Sequence, residues 1–117
     1  MNIEQLRTYC ISKKGVTESF PFNETVLVFK VMDKMFLLTD LDDATTINVK
    51  CEPEYAMELR EKYDEVTAGF HMNKKYWNTI VINESLNDKF IQSLIDHSYE
   101  QVVDGLPKRL VKELNEL

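Results

Sequence analysis

The stretch Thr25-Val26-Leu27-Val28-Phe29-Lys30-Val31-Met32-Asp33-Lys34-Met35-Phe36-Leu37-Leu38-Thr39-Asp40-Leu41-Asp42-Asp43-Ala44-Thr45-Thr46-Ile47-Asn48-Val49-Lys50 holds three extended runs in succession. Thr25 to Met32 and Met35 to Asp40 are rich in Val, Leu and Phe, and Asp33-Lys34 between them suits a tight hairpin. Leu41 to Ala44 supplies the next turn. Thr45 to Lys50 then alternates, with Ile47, Val49 and the following Cys51 on one face and Thr46, Asn48 and Lys50 on the other. That period predicts a half-buried strand with a polar outer face. Joined by such short turns, the runs are expected to form antiparallel hairpins.

Helical patterns flank this centre. Asn2 to Lys13 places Ile3, Leu6, Tyr9 and Cys10 on one face, with Asn2 as cap and Gln5 three residues on. Gly15 stands where a left-handed residue ends a helix. Pro21 breaks any helix in the following connection, and Phe20 and Phe22 beside it are expected to pin that loop to the core. Pro53 opens a second helix to about Tyr63, with Ala56, Leu59 and Tyr63 facing inward. Val66 to His71 reads as a short fourth strand and Tyr76 to Ile82 as a fifth, with Met72 to Lys75 turning between them. From Asn87 a long helix repeats Phe90, Ile91, Leu94, Ile95, Tyr99, Val102 and Val103, the strongest helical period in the chain. Gly105 stops it and Pro107 opens a short tail helix. The expected order is helix, three strands, helix, two strands, helix and tail helix. That makes a single α+β domain over residues 1–117, with an antiparallel sheet and helices packed on it.

Composition narrows the class. Lys and Arg number 14 against 20 Asp and Glu, so the net charge is −6. Such a chain is repelled as a whole by a polyanion, and only a localised basic face can hold nucleic acid. No apolar run is long enough to span a bilayer, so no membrane partner is expected. The N-terminal residues lack the layout of a secretory signal, which predicts a cytoplasmic protein. Cys10 and Cys51 are expected to be small buried hydrophobes rather than a disulfide. With His71 and His97 they show no short metal-ligand spacing, so no metal is expected. His97 is expected to be a polar-face or helix-packing residue. There is no Gly-rich phosphate loop and no G-x-S-x-G elbow, so neither a cofactor nor an enzymatic activity is expected.

The run Gly69-Phe70-His71-Met72-Asn73-Lys74-Lys75-Tyr76-Trp77-Asn78-Thr79 contains the only Trp, and Val66 to Asn83 around it has no acidic residue. Asn73, Lys74 and Lys75 are donors suited to phosphate oxygens, Asn78 to a base edge, and Trp77 or Tyr76 to stacking. The same residue types also suit structure: Trp77 as a core anchor, His71 and Asn78 as partners for the backbone of a demanding loop. Both readings stay open for Asn73 and Asn78, whereas Trp77 leans to the core. Lys50, with Asn48, extends the same surface if its strand neighbours that of Trp77. Lys50, His71, Asn73, Lys74, Lys75, Trp77 and Asn78 thus form the candidate nucleic-acid or ligand-binding set.

This run resembles the signature of the MmcQ/YjbR family of small bacterial proteins. Phe20-Pro21-Phe22, Val28-Phe29-Lys30-Val31, Asn48-Val49-Lys50-Cys51, Leu94-Ile95-Asp96-His97-Ser98-Tyr99 and Gly105-Leu106-Pro107-Lys108 extend the likeness over nearly the whole chain. Asp33 and Thr67-Ala68 depart from it at turn positions where relatives often carry Gly or Pro. The resemblance implies a secretion-chaperone-like or CyaY-like α+β fold. It also implies DNA binding, of the weak and salt-sensitive kind that so few basic groups allow, through a "double wing" of paired hairpins. It brings no catalytic residues. The alternative is a protein- or small-ligand-interaction domain that presents its sheet to a partner.

Overall fold

The computed structural model describes residues 1–83 and 85–117. Its elements are α1 (Ile3–Ile11), β1 (Val16–Ser19), β2 (Val26–Val31), β3 (Lys34–Asp40), β4 (Asp43–Lys50), α2 (Pro53–Lys62), β5 (Val66–Ala68), β6 (Trp77–Val81), α3 (Asp88–Asp104) and α4 (Lys108–Asn115). The six strands form one antiparallel sheet in the order β1-β2-β3-β4-β6-β5. The α+β architecture and the element order agree with expectation, apart from one strand. That strand, β1, is short and polar, Val-Thr-Glu-Ser, and carries no apolar run to announce it.

Two turns differ from the expected geometry. The first hairpin turns on Met32-Asp33, not Asp33-Lys34, and pairs Val31 with Lys34. Both turn residues are left-handed, at φ 48° and 68°. A two-residue turn of that hand matches the right-handed twist of its strands, and Asp tolerates the conformation better than most side chains. The second turn is just Leu41-Asp42, since Asp40 already pairs with Asp43; Asp42 N–H donates to Asp40 Oδ1 at 3.0 Å.

The sheet has two unlike faces. On the helical side Leu6 and Cys10 of α1, Leu27, Phe29 and Val31 of β2, Ile47 and Val49 of β4, and Ile91, Leu94 and Ile95 of α3 form the main core. Gly15 is left-handed at φ 72°, and a Cβ there would meet Leu114 of α4 at 2.6 Å. On the other face Val28, Leu38 and Trp77 make a second, smaller cluster with Val26, Met35 and Met72.

α3 is fastened to the sheet by polar bonds as well as by its apolar stripe. Phe29 pairs with Leu37 and Lys30 with Met35, so Phe36 is the extra residue of a bulge. Its carbonyl accepts from the hydroxyl of Ser98, which in turn accepts from Lys50 N–H at 2.8 Å. Next along the chain, Cys51 N–H donates to Tyr76 O at 2.7 Å and Glu52 N–H to His97 Nε2 at 3.1 Å. Three consecutive amides at the corner between β4 and α2 are therefore satisfied from outside their own strand. His97 is the helix-packing residue expected of it, with its ring edge-on to Tyr55.

No helix among the described residues is long and apolar enough to cross a membrane. Both cysteines are free and buried, as expected. Burial pushes each thiol up to about 12. At pH 8 the thiolate is then roughly one part in ten thousand, so a thiol-titrating disulfide reagent should react slowly with the native chain and count two thiols promptly in denaturant. Ser98→Ala removes the one group that satisfies Phe36 O and Lys50 N–H; it should cost about 2–3 kcal/mol, read as a lower midpoint in urea denaturation.

Candidate functional site

The signature loop between β5 and β6 is built on close backbone approach. Gly69 sits against β6, and a Cβ there would meet Trp77 Cβ at 2.8 Å and Trp77 O at 2.9 Å, so only glycine fits. Gly69 N–H donates to Trp77 O at 2.9 Å and Phe70 N–H to Thr79 Oγ1 at 2.9 Å. The Thr79 hydroxyl donates onward to Asn48 Oδ1 at 2.5 Å. His71 follows in the left-handed region at φ 58°, with its ring tilted against Phe70.

Most of the polar residues in the loop are occupied by the loop itself. Asn73 Oδ1 accepts from Lys75 N–H at 2.9 Å, the side-chain turn typical of Asn. Lys74 Nζ donates to Gly69 O at 3.0 Å. Asn78 is wholly buried; its Nδ2 donates to Ala56 O at 3.3 Å and its Oδ1 accepts from Arg60 Nε at 2.7 Å. Arg60 Nη2 also reaches Trp77 O at 3.2 Å and the carbonyl of Lys74. Trp77 is 9% exposed and packs with Val28 and Leu38.

Asn78 is therefore a structural residue, not a reader of base edges, because no part of it reaches solvent. Trp77 is the anchor of the outer-face cluster, not a stacking surface. Asn73 and Lys74 hold the loop. Lys75 remains exposed, with its ammonium over the Tyr76 ring at 5.3 Å, and His71 remains exposed beside Phe70. Lys74 and Lys75 are both exposed, but the Lys74 ammonium is bonded to the Gly69 carbonyl and that of Lys75 lies over the Tyr76 ring.

Lys50 lies where its sequence pattern put it. It pairs directly with Trp77 across β4 and β6, and Asn48 pairs with Thr79, so both belong to the outer face. Its cationic neighbours come from elsewhere in the chain. Lys30, Lys34 and Lys50 line one cleft of about 420 Å³ with Pro21, Phe22, Met35, a single acid, Asp33, and, from the C-terminal end of α3, Val102, Gly105 and Leu106. None of the three lysines is in an ion pair among the described residues. A second recess of about 360 Å³ adjoins it, lined by Phe22, Val26, Met35, Leu38, Phe70, His71 and Met72 with Thr39, Asp40 and Asn48. Phe22 is 63% and Phe20 47% exposed, so these rings do not pin their loop to the core. The side chain of Asn23 orders that loop instead, accepting from Thr25 N–H at 2.9 Å and Val26 N–H at 2.8 Å.

Sequence reading missed Lys30, Lys34, Phe22 and Arg60. The lysines are scattered, and only strand register gathers them; Phe22 joins them from the connection between β1 and β2. Arg60 carried a signal, since it follows buried Ala56 by four residues on α2 and so shares its face. Cys51 faces the helical core and His71 the open face, so the two are not brought together. Among the described residues no group of three or more His, Cys, Asp or Glu is placed to hold a metal ion. Arg60→Ala strips the partner from Asn78 Oδ1 and from the carbonyl of Lys74, and one of two donors from Trp77 O; it should cost about 2–3 kcal/mol in urea denaturation and speed amide exchange in residues 69–76.

The fold described above recurs in known proteins. The structure matches the crystal structure of Deinococcus radiodurans protein DR2400 with a TM-score of 0.90 at 32% identity, over 97% of this chain and 88% of that one. A Pseudomonas syringae protein matches with a TM-score of 0.74 at 28% identity, over 86% of this chain and 98% of that one. In sequence, the uncharacterised protein YjbR of Escherichia coli (strain K12) is 33% identical over 118 residues, covering the whole of both chains. The uncharacterised protein YbdF of Escherichia coli O157:H7 is 35% identical over 91 residues, 77% of this chain and 75% of its own length. With the YjbR family model matching residues 11–101 as well, the chain belongs to the YjbR family.

Proposed function

We propose that this domain is a non-enzymatic module that binds nucleic acid through the open face of its sheet. The observation that carries the reading is the cluster of Lys30, Lys34 and Lys50 around one cleft, without ion pairs among the described residues, in a chain of net charge −6. Three lysines converge there on a single acid, Asp33, which makes this surface locally cationic. The local cluster outweighs the net charge at physiological salt, because charges more than about 8 Å away are largely screened. Phosphate oxygens are the fitting ligand, since three ammonium groups on adjoining strands act as point charges along a backbone and carry no base information.

The alternative, a domain for a small ligand or a protein, draws support from the apolar recess beside the lysines. A stoichiometric protein partner recovered from lysate after nuclease treatment would favour it.

Fluorescence anisotropy with labelled DNA, single-stranded and duplex, tests the main reading over a range of salt. Three phosphate contacts give a log–log salt slope of about −2 to −3. Lys30→Gln, Lys34→Gln and Lys50→Gln should each flatten it by about one unit, and Lys74→Gln should leave it unchanged. If neither form of DNA binds at low salt, the reading is wrong.

A further inference from the structure

We propose that the open face takes an unpaired nucleotide, its base entering the recess between Phe22 and Phe70 and its phosphate meeting Lys30, Lys34 and Lys50. The proposal rests on the nucleic-acid reading above and narrows it to nucleotides whose bases are free of a duplex.

The two recesses are halves of one site. Phe22 and Met35 line both, so the cationic cleft and the apolar one share a wall. Their characters differ. One presents three ammonium groups; the other presents Val26, Leu38, Met35 and Met72 together with the rings of Phe22 and Phe70. Its volume of about 360 Å³ falls in the range of small-ligand pockets. A flat apolar body with an anion attached at one end fits that division.

Exposure of the rings argues for an unpaired base. Phe22 is 63% and Phe70 68% exposed, and neither belongs to either apolar cluster. Duplex DNA offers phosphates and groove edges, while its base faces are already stacked on one another. It would use the lysines and leave both rings in water. An unpaired base offers a π-face to each ring, the platform by which single strands are held.

Polar groups give the recess a direction. Asn48 Oδ1 is engaged by Thr79, which leaves the Asn48 amide as a donor at the recess, since no acceptor meets it among the described residues. A base carbonyl is its natural complement. Asp40 lines the recess that lacks the lysines. A phosphate at that end would face a carboxylate, so the anion belongs at the lysine end.

The nucleotide has two possible sources, a single strand or a free mononucleotide, and one titration series separates them. The probes are labelled oligothymidylate, the same strand annealed to oligoadenylate, and thymidine monophosphate as competitor. Oligothymidylate should bind at least about tenfold tighter than the duplex. Phe22→Ala and Phe70→Ala should each weaken it about tenfold while leaving the duplex nearly unaffected. Both side chains are exposed, and an unchanged thermal midpoint verifies that each variant is folded. Displacement by the monophosphate at concentrations comparable to oligomer nucleotide supports a free nucleotide as ligand, and displacement by oligomer alone supports a strand. Equal binding of duplex and single strand, with both phenylalanine variants neutral, overturns the proposal and leaves the lysine surface standing. No binding of any probe overturns both.

Discussion

One hydroxyl holds the two layers in register. Ser98 Oγ donates to the bulged carbonyl of Phe36 and accepts from Lys50 N–H, two groups that the strand ladder leaves unpaired in the interior. A buried peptide group without a partner costs about 1–3 kcal/mol, so α3 is held at the one height where its serine meets both. With His97 on Glu52 N–H, the same turn of helix also fixes where β4 gives way to α2. Since side chains alternate along a strand, this pin also decides that Lys50 points to the open face beside Trp77.

The most conspicuous residues in the chain turn out to be scaffold. Gly69, Asn73, Lys74, Trp77 and Asn78 look like a binding motif because they are polar, aromatic and basic together. Their contacts run to one another, to Arg60 and to the backbone of α2. A loop that passes so close to β6 exposes carbonyls and amides that regular pairing cannot use, and specific side chains must take those bonds. Toward the recess the loop presents Phe70, His71 and Met72, while Asn73 to Tyr76 are also exposed at its tip.

Much of the architecture was legible because hydrophobic period reports burial directly. The stripe from Phe90 to Val103 and the alternation of Ile47 and Val49 against Asn48 and Lys50 left little freedom. β1 was not legible, because a four-residue edge strand is recruited by its neighbour and not by a pattern of its own. The first hairpin slipped by one residue because Met32 gives no sign of a left-handed conformation; only its pairing with β3 imposes it. The candidate surface divided in the same way. Lys50 could be assigned to a face from its own strand, but Lys30 and Lys34 join it only through the register of β2, β3 and β4, which composition does not encode.

The two edges of the sheet carry a consequence for how this domain meets other chains. β1 has four residues and β5 three, and these outermost strands lie against α1 and α2. Short borders offer few free peptide groups in line, so strand addition from another polypeptide finds little template, and fibril-like stacking is discouraged for the same reason. What remains open on the sheet is its broad surface, which offers side chains rather than main-chain pairing.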